Sequence, residues 1–295
     1  MNSLAIKNLF TIAIAVCLTL SVSIVVPSGN INSYSIPVIV SCAILSFIIQ
    51  WIAFIPAFLL KTEKFYDLVG SLTYISLLTV AALYVEQLND RSLLLVLLIG
   101  IWALRLGMFL FLRIKQDGYD RRLIRFKSNA TRFLLAWTIQ GSWVFITIIA
   151  AITAITSNNN PHIDLFAWAG LTIWLAGFLM ETIADNQKRR FRENLENADK
   201  FIKSGLWSWS RHPNYFGEIL IWIGIAIISL PALTGWQFLA LISPIFVYVL
   251  LTKISGIPML EESAQERWGG DSDYISYVNR TSILVPKKPG QIKTH

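Results

Sequence analysis

The chain has few of the residues that keep a protein surface in water. Only 15% of its 295 residues are charged, whereas an ordinary soluble domain carries about 25%. Apolar residues make up 55% of the sequence, and its mean hydropathy is +0.57. Several apolar runs exceed the roughly 18 residues needed to cross a hydrocarbon core. The sequence therefore predicts an integral membrane protein.

Cysteine is also scarce. Cys17 and Cys42 are the two cysteines, and both lie inside apolar runs. A disulfide framework is therefore not expected, and the chemistry is expected to face a reducing compartment. The sequence has no internal repeat and no Gly-Ser-rich or Pro-rich linker, and its loops are too short for a separate soluble domain. No metal site is expected.

The apolar runs predict an all-α, polytopic helical bundle with about seven to eight transmembrane segments. A signal peptide is not expected, because the first run is too long and no small-residue cleavage pattern follows it. The predicted spans lie near residues 4–26, 36–60, 67–88, 92–114, 133–156, 163–184, 216–231 and 235–252.

Lysine and arginine are concentrated in alternate loops. The loops after the fourth and sixth predicted spans are strongly basic, whereas residues 27–35 and 157–162 contain neither lysine nor arginine. Because basic loops stay on the cytoplasmic side, both termini are predicted to be cytoplasmic. The net charge of +7 is then a topology signal, and no nucleic-acid partner is expected.

Ionisable residues near a bilayer core are costly and therefore mark candidate sites. Arg105 stands about two turns from the cytoplasmic end of the fourth span. It either snorkels to the interface or contacts an anionic ligand group. Asp67 lies at the start of the third span, beside the phenol of Tyr66.

The end of the sixth span has a more specific pattern. If this helix continues into the cytoplasm, Glu181, Asp185, Lys188 and Arg192 fall on one face. The stripe is either a solvated row of salt bridges, or an acidic patch for hydroxyls and amides followed by basic groups for phosphates. The spacing alone leaves both interpretations open.

The segment after it contains a second polar group. Gly205 is expected to break the preceding helix, and Pro213 to begin a new one. A helix start ringed by basic and amide side chains suits a phosphate. Trp207 is either an interfacial residue or a surface for a planar base. The polar and aromatic residues around this start are Arg211, His212, Asn214, Tyr215 and Glu218.

The tail mixes acids with aromatic residues. Tyr274 and Tyr277 are one helical turn apart, and Glu262 lies upstream of them. Such a segment could fold over a basic loop and close a pocket.

These motifs resemble a known family. Ser-Gly-Leu-Trp from Ser204, Arg-His-Pro-Asn-Tyr-Phe-Gly-Glu from Arg211, an apolar helix and a Glu-Glu…Tyr…Tyr tail are similar to the C-terminal domain of the steroid 5α-reductases. The chain looks most like the DUF1295-like branch of that superfamily, which also relates to sterol reductases and isoprenylcysteine methyltransferases. The similarity is strongest over residues 165–286 and touches most of the chain.

The resemblance implies a membrane-embedded, NADPH-dependent reductase of a polarised C=C bond in a lipid or steroid-like substrate taken from the bilayer. Residues 1–160 would line the substrate cavity, and residues 161–295 would carry a cytoplasmic cofactor site. The membrane would be the endoplasmic reticulum in a eukaryote or the inner membrane in a bacterium. The residues expected at the cofactor are Arg105, Asp185, Lys188, Arg192, Trp207, Arg211, His212, Asn214, Tyr215, Glu218, Glu262 and Tyr277.

One departure concerns the proton donor. The steroid 5α-reductases carry a tyrosine three residues before the arginine that Arg105 matches, and this chain has Trp102 there. No counterpart of their catalytic glutamate is evident, so the catalytic acid is unassigned. Tyr66, Asp67 and Tyr119 are the candidate replacements.

Two alternatives stay open. One is a methyltransferase of the isoprenylcysteine type, which shares Arg-His-Pro-x-Tyr-x-Gly but binds S-adenosylmethionine. Asn214 and the Asp185–Arg192 spacing favour the reductase. The other alternative is a membrane protein that binds lipid without catalysis.

Overall fold

The computed structural model describes residues 3–28, 36–118, 123, 126–159 and 161–288. Over these residues the chain is helical and contains no β-strand. Tyr119, one of the candidate acids, lies outside the described residues. The α-helices are α1 Ser3–Val25, α2 Val38–Leu59, α3 Tyr66–Tyr84, α4 Asp90–Asp117, α5 Ala130–Ile155, α6 Leu165–Glu193, α7 Pro213–Ser229, α8 Ile242–Val249, α9 Ile257–Trp268 and α10 Ser272–Arg280.

Eight helical stretches in the described chain are long and apolar enough to cross a membrane, which confirms the predicted all-α membrane bundle. The last stretch, Gly235–Trp268, is longer than predicted and is not one regular helix. It joins a 3₁₀ segment, α8, a π-helical turn at Leu250–Ile254 and α9. The cytoplasmic placement of the termini stays a prediction.

The chain forms two compact units. The first contains Met1–Ala167 and Ala226–Ser243, and the second contains Trp168–Ile225 and Pro244–His295. The first unit is therefore not continuous in sequence. The functional division at residue 160 stays a prediction.

Helix α5 is the centre of the first unit, where α1, α2 and α3 pack against it. Its side chains are buried along most of its length. Lipid is as apolar as these helices, so packing and interhelical hydrogen bonds must hold them together. Such bonds link Asn8 to Thr131 (3.1 Å), Thr19 to Ser142 (3.0 Å), Gln50 to Thr73 (3.0 Å) and Trp51 to Thr138 (3.0 Å).

A buried arginine closes one end of this unit. Arg91, in the first turn of α4, is only 2% exposed. Its guanidinium donates to the carbonyls of Pro161 (3.3 Å), His162 (2.7 Å) and Ile228 (2.7 Å). It also pairs with Asp164 at 2.8 Å. One side chain therefore fixes the α5–α6 loop and the end of α7.

In the second unit, glycines let α6 and α7 approach at backbone distance. A Cβ atom added to Gly177 would lie 2.5 Å from the carbonyl oxygen of Gly217. One added to Gly224 would lie 2.6 Å from the carbonyl oxygen of Gly170. Because any side chain would separate the helices, the glycines determine how near the end of α6 lies to the start of α7.

The end of α6 differs from the prediction. Pro213 does begin α7, as expected, but α6 ends at Glu193, well before Gly205. The side chain of Asn194 accepts from the Glu196 amide at 3.0 Å and starts a 3₁₀ turn, which competes with continuing the helix. Gly205 instead has a left-handed φ of 61° and is the first residue of a second 3₁₀ turn, Gly205–Ser208.

Candidate functional site

The polar face of α6 meets the first turn of α7. Glu181 and Asp185 are buried, with 2% and 8% exposure, so these two acids are not part of a solvated stripe. The side-chain amide of Asn214 donates to Asp185 Oδ1 at 3.4 Å. Further along α6, Lys188 is half-buried and Arg192 is exposed. The helix therefore presents buried acids first and accessible cations beyond them.

Trp207 is a buried anchor and not an exposed interfacial residue. It is 3% exposed, and its indole N–H donates to the Ala184 carbonyl at 3.1 Å. The ammonium group of Lys188 lies 4.5 Å from the centre of its ring, a cation–π contact. Tyr277 donates its hydroxyl to the Trp207 carbonyl at 2.7 Å. Trp207 thus joins α6 to the tail.

The two basic residues before α7 share one carboxylate. Glu261 on α9 accepts from a terminal nitrogen of Arg211, and its other oxygen lies 2.8 Å from His212 Nε2. The Nε of Arg211 is buried and has no partner among the described residues. Sequence reasoning named Glu262, which is exposed, and missed Glu261. The adjacent pair of glutamates was the available signal, but it could not separate them.

His212 is held on several sides. Burial lowers its pKa, and the hydrogen bond from its ring to Glu261 acts in the opposite direction, raising the pKa less than burial lowers it. The ring stacks on Tyr215 with centroids 5.7 Å apart and planes 11° apart. A Cβ atom on Gly256 would lie 3.0 Å from the Tyr215 ring, so glycine makes room for this stack. The imidazole is therefore neutral and fixed in orientation.

The tail packs onto the loop after α6. Arg267 pairs with Asp199, and Trp268 donates its indole N–H to the Asp199 carbonyl at 2.6 Å. Lys203 pairs with Asp273 at 2.8 Å, and this charge lowers the pKa of Asp273. The tail therefore packs on the loop after α6. Closure of a pocket by this segment stays a prediction.

Aromatic rings reinforce the same contact. Phe201 lies 5.8 Å from Trp268, 5.2 Å from Tyr274 and 5.5 Å from Tyr277, measured between ring centroids. Burial raises the pKa of both tyrosines, so their phenols stay protonated at neutral pH. These rings form an apolar contact between the loop after α6 and the helices α9 and α10.

Residues beyond α10 complete the segment before α7. Ser210 and Ser282 form a parallel bridge, in which the Arg211 amide donates to the Ser282 carbonyl at 2.8 Å. The hydroxyl of Ser210 donates to the Leu284 carbonyl at 2.7 Å. The tail therefore contacts Arg211 twice, at its backbone through Ser282 and at its side chain through Glu261.

The candidate acids of the first unit are also engaged. The Tyr66 hydroxyl donates to the Ala136 carbonyl at 2.9 Å. Asp67 is 8% exposed and lies 3.7 Å from a guanidinium nitrogen of Arg113. Arg105 is half-buried on α4. The Tyr66 proton is thus directed at the backbone, and neither it nor Asp67 is an evident proton donor.

Comparisons with known proteins decide the family. A family model described as a protein of unknown function (DUF1295) matches residues 53–281, more than half of the chain. The chain belongs to the DUF1295 family. The resemblance drawn from the Ser204–Glu218 motifs is therefore confirmed.

Individual relatives of this DUF1295 protein match over shorter stretches. An uncharacterized protein of Schizosaccharomyces pombe is 23% identical over 205 residues, 57% of each chain. The 3-oxo-5-alpha-steroid 4-dehydrogenase 1 of Bos taurus is 35% identical over 69 residues, 23% of this chain and 26% of that one. Its Rattus norvegicus counterpart is 29% identical over 117 residues, 40% of each. The chain thus spans little more than half of the first relative. No solved structure matches.

The second unit of the DUF1295 protein contains most of the residues predicted to hold the cofactor. Direct contacts join Lys188 to Trp207, Trp207 to Tyr277, Asp185 to Asn214 and His212 to Tyr215. Their role in binding stays a prediction. The predicted residues in this unit are Asp185, Lys188, Arg192, Trp207, Arg211, His212, Asn214, Tyr215, Glu218, Glu262 and Tyr277.

Proposed function

We propose that this DUF1295 protein is a membrane-bound reductase that uses NADPH to reduce a polarised C=C bond in a lipophilic, steroid-like substrate. The observation that supports it is the cluster at the start of α7. There Lys188 lies over Trp207, Asn214 donates to Asp185, and the buried Nε–H of Arg211 has no partner among the described residues. Partial similarity to the steroid 4-dehydrogenases supports the reaction class.

The donor set suits a dinucleotide. Lys188 and Arg211 supply cations for phosphate oxygens, and the N-terminal turn of α7 would add its helix dipole and backbone N–H groups. Asp185 offers a carboxylate for ribose hydroxyls, beside the Asn214 amide. The buried Nε of Arg211 would gain an acceptor. When bound, NADPH would supply the hydride.

The residues of this chain would bind the cofactor and fix its orientation. The cation–π contact limits where the Lys188 ammonium can move, and the Glu261 carboxylate does the same for Arg211. Arg192, exposed one turn beyond Lys188, is the candidate for a 2′-phosphate. The apolar spans would give a lipophilic substrate access from the bilayer. The proton donor is left unassigned.

The methyltransferase alternative makes an opposite prediction about the ligand. S-adenosylmethionine has no phosphate, and its single carboxylate is accompanied by its own ammonium and sulfonium charges, so the basic residues around Trp207 would have no excess negative charge to neutralise. The decisive measurement is the thermal stability of the detergent-purified protein with NADPH or S-adenosylmethionine. NADPH should raise the melting temperature, and S-adenosylmethionine should not. Stabilisation by S-adenosylmethionine alone would refute the reductase.

Arg192→Ala tests cofactor choice. If Arg192 holds the 2′-phosphate, the variant should bind NADPH about tenfold more weakly, because one charge-assisted contact is lost. Binding of NADH should change little. Arg189→Ala is the matched control, since Arg189 is exposed on the same helix and pairs with Glu193. Equal losses for the two nucleotides would exclude this role for Arg192.

A further inference from the structure

Glu261 joins α9 to both basic residues before α7. One carboxylate oxygen accepts from Arg211, and the other lies 2.8 Å from His212 Nε2. The π-helical turn at Leu250–Ile254 interrupts the last span before α9 begins. Because both oxygens are engaged, the position of this one carboxylate fixes two side chains.

The Glu261 contact determines the tautomer of His212. A carboxylate can only accept, so Nε2 of the neutral imidazole must carry the proton and Nδ1 must be an acceptor. The stack on Tyr215 restricts the plane of the ring, and a flip within that plane would remove Nε2 from Glu261. No donor among the described residues contacts Nδ1, because the other His212 hydrogen bond is from its backbone amide to Ser210.

We infer that Glu261 is a positioning residue, which holds His212 as the Nε2–H tautomer so that Nδ1 accepts a hydrogen bond from an N–H or O–H group of the ligand. The inference rests on the proposed function, in which the ligand is a dinucleotide. Its carboxamide, its adenine amino group and its ribose hydroxyls are donors of this class.

The charges around His212 give this role a pH signature. Lys188 on α6 and the adjacent Arg211 both disfavour a positive imidazole, whereas Glu261 on α9 favours it. Tyr215 on α7 stacks on the imidazole, and burial raises the pKa of Tyr274 on α10, which lies near Glu261 and is a neutral phenol at neutral pH. Protonation turns Nδ1 into a donor, so binding should weaken as the pH falls through the pKa of His212. Removing the Glu261 charge lowers that pKa and should move the loss of binding to lower pH.

The tautomer can be measured without any ligand. The chain has three histidines, so His162→Gln and His295→Gln leave only His212 for ¹⁵N NMR in detergent micelles. The wild-type side chain should show a protonated Nε2 and an unprotonated Nδ1. Glu261→Gln should keep this tautomer, because its amide oxygen still accepts, but with a lower titration midpoint. A mixture of tautomers in the Glu261 protein would overturn the inference.

The second measurement is the dissociation constant of NADPH between about pH 5.5 and pH 8.5. Glu261→Ala should bind about tenfold more weakly at pH 7.5, because one ligand hydrogen bond and the Arg211 geometry are lost. Glu261→Gln should recover part of this affinity. As the pH falls, its binding of NADPH should weaken at a lower pH than that of the wild type. Glu266→Gln, an exposed acid of the same helix, should match the wild type.

The outcomes separate the two proposals. In one outcome, the wild type binds NADPH, and Glu261→Gln loses NADPH binding at the same acidic pH as the wild type. This outcome would overturn the positioning role and leave the proposed reductase function intact. Tighter binding in Glu261→Ala would show that the carboxylate competes with the ligand, which also overturns it. Failure of the wild type to bind NADPH, with the tautomer present, would refute the proposed function instead.

Discussion

Arg91 and Glu63 are almost completely buried, and each has an opposite charge beside it. Arg91 has Asp164 and three backbone carbonyls, whereas Glu63 has Lys127 at 2.8 Å. Burying an ion costs several kcal/mol unless partners satisfy it. These residues therefore fix the ends of helices more than they add net stability.

Replacing Arg91 tests this at the residue scale. Arg91→Met should lower the free energy of unfolding by about 3–5 kcal/mol, because three carbonyls lose their donor. Arg91→Lys should recover only part of this lost stability, since an ammonium group cannot reproduce the planar, forked guanidinium that donates to several carbonyls at once. Chemical unfolding in detergent measures both.

Asp164→Asn is the control for Arg91. Asp164 is 38% exposed, and its loss of charge should cost less than about 1 kcal/mol. A loss in Arg91→Met no larger than in Asp164→Asn would show that the carbonyl contacts contribute little.

Residues of the candidate site could be named from the sequence where they belong to a motif. They could not be named where helix packing decides which side chain enters the site. His212 and Arg211 were named from sequence, but Glu261 was not, because adjacent helical residues point about 100° apart and the register of α9 depends on the irregular turn before it. Arg91 belongs to no recognisable motif in the sequence. Only its four partners, which lie 70 or more residues away, reveal its role.

At the scale of elements, the contact between α6 and α7 makes the most specific prediction. Gly177→Ala should destabilise the protein by about 1–3 kcal/mol, because the new methyl group would meet the Gly217 carbonyl. It should also weaken NADPH binding, since the Asp185–Asn214 contact depends on the same approach. Thermal unfolding and NADPH titration measure the two effects.

Gly100→Ala is the matched control. Gly100 lies within α4, and a Cβ atom there would meet nothing within 4 Å. The higher helix propensity of alanine should leave stability unchanged or raise it by up to about 1 kcal/mol. Similar losses at both glycines would mean that the close approach of α6 and α7 is not responsible for the loss at Gly177.

Elements were easier to predict than their interruptions. Long apolar runs gave all eight spans, because hydropathy over about 18 residues is a strong signal. The π-helical turn at Leu250–Ile254 has no such signal, since its sequence Leu-Leu-Thr-Lys-Ile contains neither glycine nor proline to mark an interruption. The early end of α6 depends on the hydrogen bond that the Asn194 side chain accepts from the Glu196 amide. A single asparagine is a weak signal in the sequence beside a long helical pattern.

For the whole molecule, the distribution of basic residues predicts one orientation. In a background of Cys17→Ser and Cys42→Ala, single cysteines at Lys200 and Gln87, both exposed, should label from opposite sides. An impermeant maleimide added outside intact cells should modify Gln87→Cys. Lys200→Cys should react only after the membrane is opened.

The reverse labelling pattern would contradict the assignment of the basic loops to the cytoplasm. Labelling of both cysteines from the outside would contradict the number of crossings between them. Neither result depends on the identity of the ligand.

The docking of residues 282–284 onto Ser210 and Arg211 also has a consequence for biosynthesis. A ribosome makes Arg211 long before the residues that hold its backbone and its side chain. The first five helices can pack while translation continues, but the surroundings of His212 stay unfinished until the last turns of the chain emerge. A premature stop after α10 would therefore leave every membrane span in place and still produce a protein whose Arg211 lacks its backbone partners.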